Sequence, residues 1–317
     1  MITGRAFGAG AMALALSACV ATTPVSAPAP VRPASPVQTP VIAAPASPRI
    51  SAEKAALIAY YADVQRDLLA NDLMRTDMGG PDTPFGARQL AQNFEAIALN
   101  DEYANVGGTF VARTTPSNLH RWDVPVRIGL VFGASVPEAT RAEDRATVSR
   151  LASRLAGATG HPISVGGPAN FTVFVVDEAE RRQLGPQIAR LIPGIAPAAL
   201  RSVEQMPRSS YCLVIASDPR NNGAYRNAVA VVRAEHPSLM RRSCFHEEIA
   251  QGLGLANDSP LARPSIFNDD EEFALLTRHD ELLLRILYDR RLRPGMTPQE
   301  AAPIAAAIAR EVMGERL

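Results

Sequence analysis

The chain is short of net charge, of aromatic residues and of long apolar runs, and each shortage excludes something. Its 32 basic and 32 acidic residues cancel, so no charge excess points to a nucleic-acid partner. Aromatics make up 5% of the residues, which leaves a core to be built from Leu, Val, Ile and Ala. One strongly apolar run, Ala6 to Ala18, stands out. It falls short of the about 20 residues that a spanning helix needs. No internal repeat is visible. Cysteine is scarce as well: Cys19, Cys212 and Cys244 are all there is.

What is there begins with the apolar run. It follows a start with one positive charge, Arg5, and closes on Leu16-Ser17-Ala18-Cys19. A basic start, a short apolar stretch and small residues at its end read as a secretory signal over residues 1–18. The last four residues resemble the bacterial lipobox, which implies cleavage before Cys19 and acylation of that cysteine. Several acyl chains anchor better than one, since each buried methylene adds about 0.8 kcal/mol. A plain signal peptide with a chance cysteine is the other reading. Val20 follows Cys19 where an aspartate would resemble an inner-membrane retention signal. The expected destination is therefore the outer membrane, periplasmic face, with the membrane a partner through the lipid.

Residues 19–50 are mostly Pro, Ala, Ser, Thr and Val. Such a segment buries too little apolar surface to offset its ordering entropy. Its prolines favour an extended, semi-stiff spacer. Residues 51–317 remain for one globular domain, read as a helical extension (51–120) and a core (121–317). In an oxidising compartment Cys212 and Cys244 most simply form one disulfide; two buried free thiols are the alternative.

Apolar spacing predicts helices over 51–73, 86–99, 138–156, 178–191, 238–252, 275–288 and 298–313. Strands are expected after Gly107 and Gly108, then at Val124–Phe132, His161–Val165, Asn170–Val176, Tyr211–Ala216 and Ala228–Arg233. Strands interleaved with helices give a mixed α/β (α+β) sheet with helices packed on it.

One stretch carries a hypothesis: Cys244-Phe-His-Glu-Glu-Ile-Ala-Gln-Gly-Leu-Gly-Leu-Ala-Asn-Asp258. On a helix, Phe245, Ile249, Gly252 and Leu253 share the buried face. Glu247 and Gln251, four apart, share another. Glu248 lies between the two faces, where an arginine partner is expected. Gly254 permits a sharp turn that returns Asn257 or Asp258 towards Glu247 and Gln251. His246 projects about 100° away from Glu247, so the two do not meet one ion. His279 beside Asp280 reads as a packing or surface residue. The acidic run Asp269–Glu272 lacks EF-hand spacing and reads as a solvated loop.

The helix resembles the metzincin pattern: ligands at i and i+4, a glutamate at i+1 and, after a glycine, a third ligand. Glu247, Glu248, Gln251, Gly254 and Asn257 occupy those positions, with all three ligand histidines replaced. The resemblance implies a metzincin-like twisted sheet, with Glu248 as candidate general base. It makes Glu247, Gln251, Asn257 and Asp258 candidate metal ligands. Arg263-Pro264-Ser265-Ile266-Phe267 falls where metzincins turn on a methionine beneath the metal, with Phe267 in its place. Zinc prefers nitrogen and sulfur donors, and this oxygen set suits calcium better. The expected state is no cofactor. Asn93-Phe94-Glu95, Arg121-Trp122-Asp123, Asn170-Phe171 and Arg290 to Met296 are similar to a bacterial lipoprotein family, domain of unknown function 2927, over most of residues 90–305. The family implies no particular activity. The expectation is a non-catalytic binding or structural domain whose partner is a peptide or envelope protein. Metal-dependent peptide or cell-wall hydrolysis through Glu248 is the alternative.

Overall fold

A computed structural model describes residues 51–106, 109–268 and 270–315. The expected signal segment, Cys19 and the tether lie outside them, as do Gly107, Gly108 and Asp269. Residues Pro48–Leu317 form one compact unit.

The chain enters through α1 (Ala52–Ala70), whose Ser51 side chain accepts from the Lys54 amide at 3.1 Å. Tyr61 is its one buried residue, and its hydroxyl donates to the Arg208 carbonyl at 3.0 Å. Lys54 pairs with Asp177 at 3.2 Å. Helix α2 (Ala87–Ala98) buries Leu90, Phe94 and Ile97, the i, i+4, i+7 stripe of a core-facing helix. Strands β1 (Asn100–Val106) and β2 (Thr109–Pro116) pair antiparallel. Only the second was expected: Asn100-Asp101-Glu102 has poor strand propensity, so pairing to β2, not composition, sets β1.

After the short β3 (Arg121–Trp122) come β4 (Val126–Phe132), α3 (Glu138–Thr159), β5 (Ile163–Val165) and β6 (Phe171–Val176). Helix α3 runs on to Gly160, which takes the left-handed conformation (φ 66°) that glycine accepts without penalty. The helix expected over 178–191 divides into α4 (Glu178–Arg181) and α5 (Gly185–Leu191). Pro186 has no amide hydrogen to donate to the Arg182 carbonyl, so the helical ladder is interrupted there, and the proline sits in the first turn of α5, where that hydrogen is not needed. Helix α6 (Pro197–Glu204), unforeseen, begins with proline at its first turn. Strands β7 (Cys212–Ser217), β8 (Ala224–Tyr225) and β9 (Asn227–Arg233) follow, then helices α7 (Ser238–Gly252), α8 (Arg278–Leu287) and α9 (Pro298–Val312). The helix expected from 275 starts at Arg278 because Thr277 caps it, reciprocally with Asp280.

The main sheet is ordered β5-β4-β6-β9-β7, parallel except for β7 at one edge. The centre, β6 and β9, is an almost continuous apolar run, as strands covered on both faces require. Alternation assigns the faces. Val173, Val175, Ala230 and Val232 pack with α2, α3, α7, α8 and α9, whereas Phe174, Val176, Val229 and Val231 meet Leu184, Ile188 and Val203 of the α4–α6 region. The protein is thus a mixed α/β fold with helices on a mixed multi-strand sheet. Among the described residues no helix is long and apolar enough to cross a membrane.

Candidate functional site

Helix α7 lies against the sheet through its glycine as well as its apolar face. A Cβ on Gly252 would sit 2.5 Å from the Phe171 ring, so only glycine lets the helix approach that closely. Phe245, Ile249 and Leu253 are fully buried, as the helical spacing predicts. A disulfide joins Cys244 of α7 to Cys212 of β7. Arg241 donates to Asp144 of α3 at 2.8 and 3.0 Å.

The end of the helix is closed by side chains from elsewhere. Trp122 donates from its ring nitrogen to the Gly252 carbonyl at 2.8 Å, and the Tyr288 hydroxyl donates to the Leu253 carbonyl at 2.9 Å. These satisfy acceptors that every helix C-terminus leaves open. Gly254 then turns the chain at φ 125°, where a Cβ would meet the His120 carbonyl oxygen at 2.2 Å.

The turn returns Asp258 to the helix. Its carboxylate accepts from the Gln251 side-chain amide at 3.3 Å. Asn257 donates to the carbonyls of Ala96 and Asp258 at 2.8 and 2.7 Å. Both amide side chains therefore tie loop to helix. Glu247, instead of joining Gln251, faces β7: its carboxylate is 4.0 Å from the Cys212 sulfur. That sulfur is bonded to Cys244 and has no proton to give, so this is a contact and not a hydrogen bond.

Glu248 departs from expectation. It is buried (3% exposed), and its Oε2 finds no hydrogen-bond partner among the described residues. No arginine pairs with it: Arg241 is spent on Asp144, and Arg154 on Glu281. Ligand atoms of Glu247, Glu248 and Cys212 lie within 4.8 Å of one another. Burial pushes both carboxyl groups well above the usual range. Neighbouring acids push further, Glu248, Asp258, Glu271 and Glu102 for Glu247, and Asp258 and Glu102 for Glu248. Unpaired buried carboxylates are costly, and the group neutralises by holding its proton.

As zinc ligands these residues do not fit. The disulfide removes Cys212 as a thiolate, Gln251 and Asn257 are engaged with protein, and no histidine joins the cluster. Nor does a pair of carboxylates beside a disulfide sulfur meet the six to eight oxygens of calcium.

The histidines serve packing. His246 accepts from the Leu276 amide at 3.2 Å, and burial, then Arg154 and Arg242, push it down to about 3. His279, fully buried, bonds Asn93 of α2 at 3.0 Å. The sequence reading missed the role of Asp280. It is fully buried and accepts from the Ile266 amide at 3.1 Å, the Thr277 amide at 2.8 Å and the Ser265 hydroxyl. That fixes the 263–267 turn against α8, with Phe267 buried beneath it. Thr277-x-x-Asp280, a capping-box spacing, was its available signal. Within the acidic run Glu272 is engaged, by Arg75 at 3.1 Å and Arg263 at 2.6 Å.

The sequence model of the family described as "Protein of unknown function (DUF2927)" matches residues 87–307. No curated protein and no solved structure matches the chain.

Proposed function

The chain belongs to the DUF2927 family, and from that premise we propose that it is an outer-membrane-anchored envelope lipoprotein with a non-catalytic, metzincin-like binding domain. The observation that carries this reading is the use of the two amide side chains. At the second and third ligand positions of the metzincin pattern, Gln251 and Asn257 bond the loop instead of facing Glu247. The order of parts agrees with that resemblance: a helix bearing Glu247-Glu248, a glycine turn, a buried turn at 263–267 and a closing helix. The 263–267 turn of this scaffold is held by the Asp280 carboxylate. Its partner would be a peptide or an envelope protein, with Cys19 acylated and residues 19–50 as the spacer.

One observation favours the alternative, metal-dependent hydrolysis of peptide or cell-wall links. The buried Glu248 carboxyl with its free oxygen could move a proton. Cleavage assays on a peptide panel and on peptidoglycan separate the two. No turnover, for the native chain and Glu248→Gln alike, is expected. Turnover lost in Glu248→Gln would overturn the non-catalytic reading. For the anchor, Cys19→Ser should move the protein from the membrane to the soluble fraction; unchanged fractionation would refute lipidation.

A further inference from the structure

Between the end of α3 and one face of α8 lies a cavity of about 560 Å³, lined by Arg278, Arg285 and Arg290. Its volume is in the range of small-ligand sites. Arg278 and Arg285 stand seven residues apart, two helical turns, and so project from the same face of α8. Arg290 follows just beyond the helix end.

The acids at this cavity are already engaged. Glu281 pairs with Arg154 from α3, and Asp289 is held by the Arg291 fork at 2.9 Å. None of the three lining arginines meets a carboxylate among the described residues. In a chain whose charges cancel overall, three uncompensated guanidinium groups gather around one hollow. The opposite wall leaves room for an occupant. Gly157 and Gly160 line it without side chains, and a Cβ at either would meet nothing within 4 Å.

We propose that these three arginines bind a phosphate group. A guanidinium fork takes two oxygens, so one carboxylate saturates a single arginine, whereas a phosphate monoester offers three oxygens and up to two charges, and the diester of a phospholipid headgroup offers two tetrahedrally arranged oxygens and one charge that neighbouring arginines can share. The phosphate can belong to a soluble ester or to a phospholipid headgroup.

The test uses the full chain carrying Cys19→Ser, so that an acyl anchor does not contribute. One arm is equilibrium dialysis with labelled inorganic phosphate and glycerol 3-phosphate, at ionic strength fixed with chloride. The other is flotation with vesicles of phosphatidylglycerol in phosphatidylcholine. Saturable binding in the first arm identifies a soluble ester, and in the second a headgroup; either supports the site. The double variant Arg278→Gln/Arg285→Gln should weaken that binding at least about 10-fold, one charge-assisted contact being worth about that factor. Arg290→Gln, outside the helix, should weaken it about 3-fold, and thermal unfolding should stay unchanged because all three side chains are exposed. Absence of binding in both arms, or equal binding by native chain and double variant, would overturn the proposal.

Discussion

Two clusters of buried acid flank the same part of the sheet, and they have opposite fates. Near the start of α4, Glu178 lies between Arg181 (2.6 Å) and Arg233. Burial alone would raise its carboxyl, but the two guanidinium groups outweigh it and hold the group below the ordinary range. On α7, Glu247 and Glu248 have no such partner and are driven well above it. Glu178 and Glu248 are both buried, and their shifts run in opposite directions because the first meets counter-charge and the second meets further acids. The first cluster is a strut between helix and strand. The second is a pair of buried carboxyl groups with no cation beside them among the described residues.

The contrast breaks most sharply at Glu178. Glu178→Gln strands Arg181 and Arg233 in the interior and should cost about 3–5 kcal/mol of unfolding free energy. Urea titration reads it, and a loss under about 1 kcal/mol would mean the cluster is no strut. Reducing the Cys212–Cys244 bridge, or replacing both residues by serine, should cost about 3–4 kcal/mol in the chain-entropy view. The same titration under reducing conditions checks it. Asn257→Ala removes the donor to two carbonyls, Ala96 and Asp258, and should cost about 1–3 kcal/mol. A neutral outcome would leave the amide free for another role.

Smaller, but of opposite sign, is the effect of Glu248→Gln. A raised folded-state value means that the carboxyl pair favours the fold below its ordinary value of 4.5, and that this contribution is lost as pH rises towards the folded values. The native chain should therefore gain less stability than the variant from neutral pH. Glu248→Gln should be as stable as the native chain at pH 4 and more stable at pH 8. Asp144 and Glu235, raised mainly by burial, act alike in both chains and cancel. Equal pH profiles would show that Glu248 is ionised in the fold.

The same contrast explains what could be read before the structure. Val124–Phe132, Asn170–Val176 and helix 238–252 announce themselves through apolar spacing, because burial dictates residue type there. Two cysteines beyond Cys19 leave one pairing. By contrast β1, led by Asn100-Asp101-Glu102, takes its shape from its partner strand, and α6 is too short for a period to show. Charge pairing was the least legible. Glu178 and Glu248 look alike in sequence, yet which acid receives an arginine depends on elements far apart in the chain, such as Arg233. Gln251 likewise shares a helix face with Glu247 but turns to Asp258, a partner that only the Gly254 turn supplies.

A calorimetric titration of zinc into the purified chain, with the metal's coordination read by X-ray absorption, tests the central claim most directly. The account predicts no stoichiometric, saturable binding. One tightly held zinc per chain with Glu247 and Gln251 in its coordination sphere would contradict it.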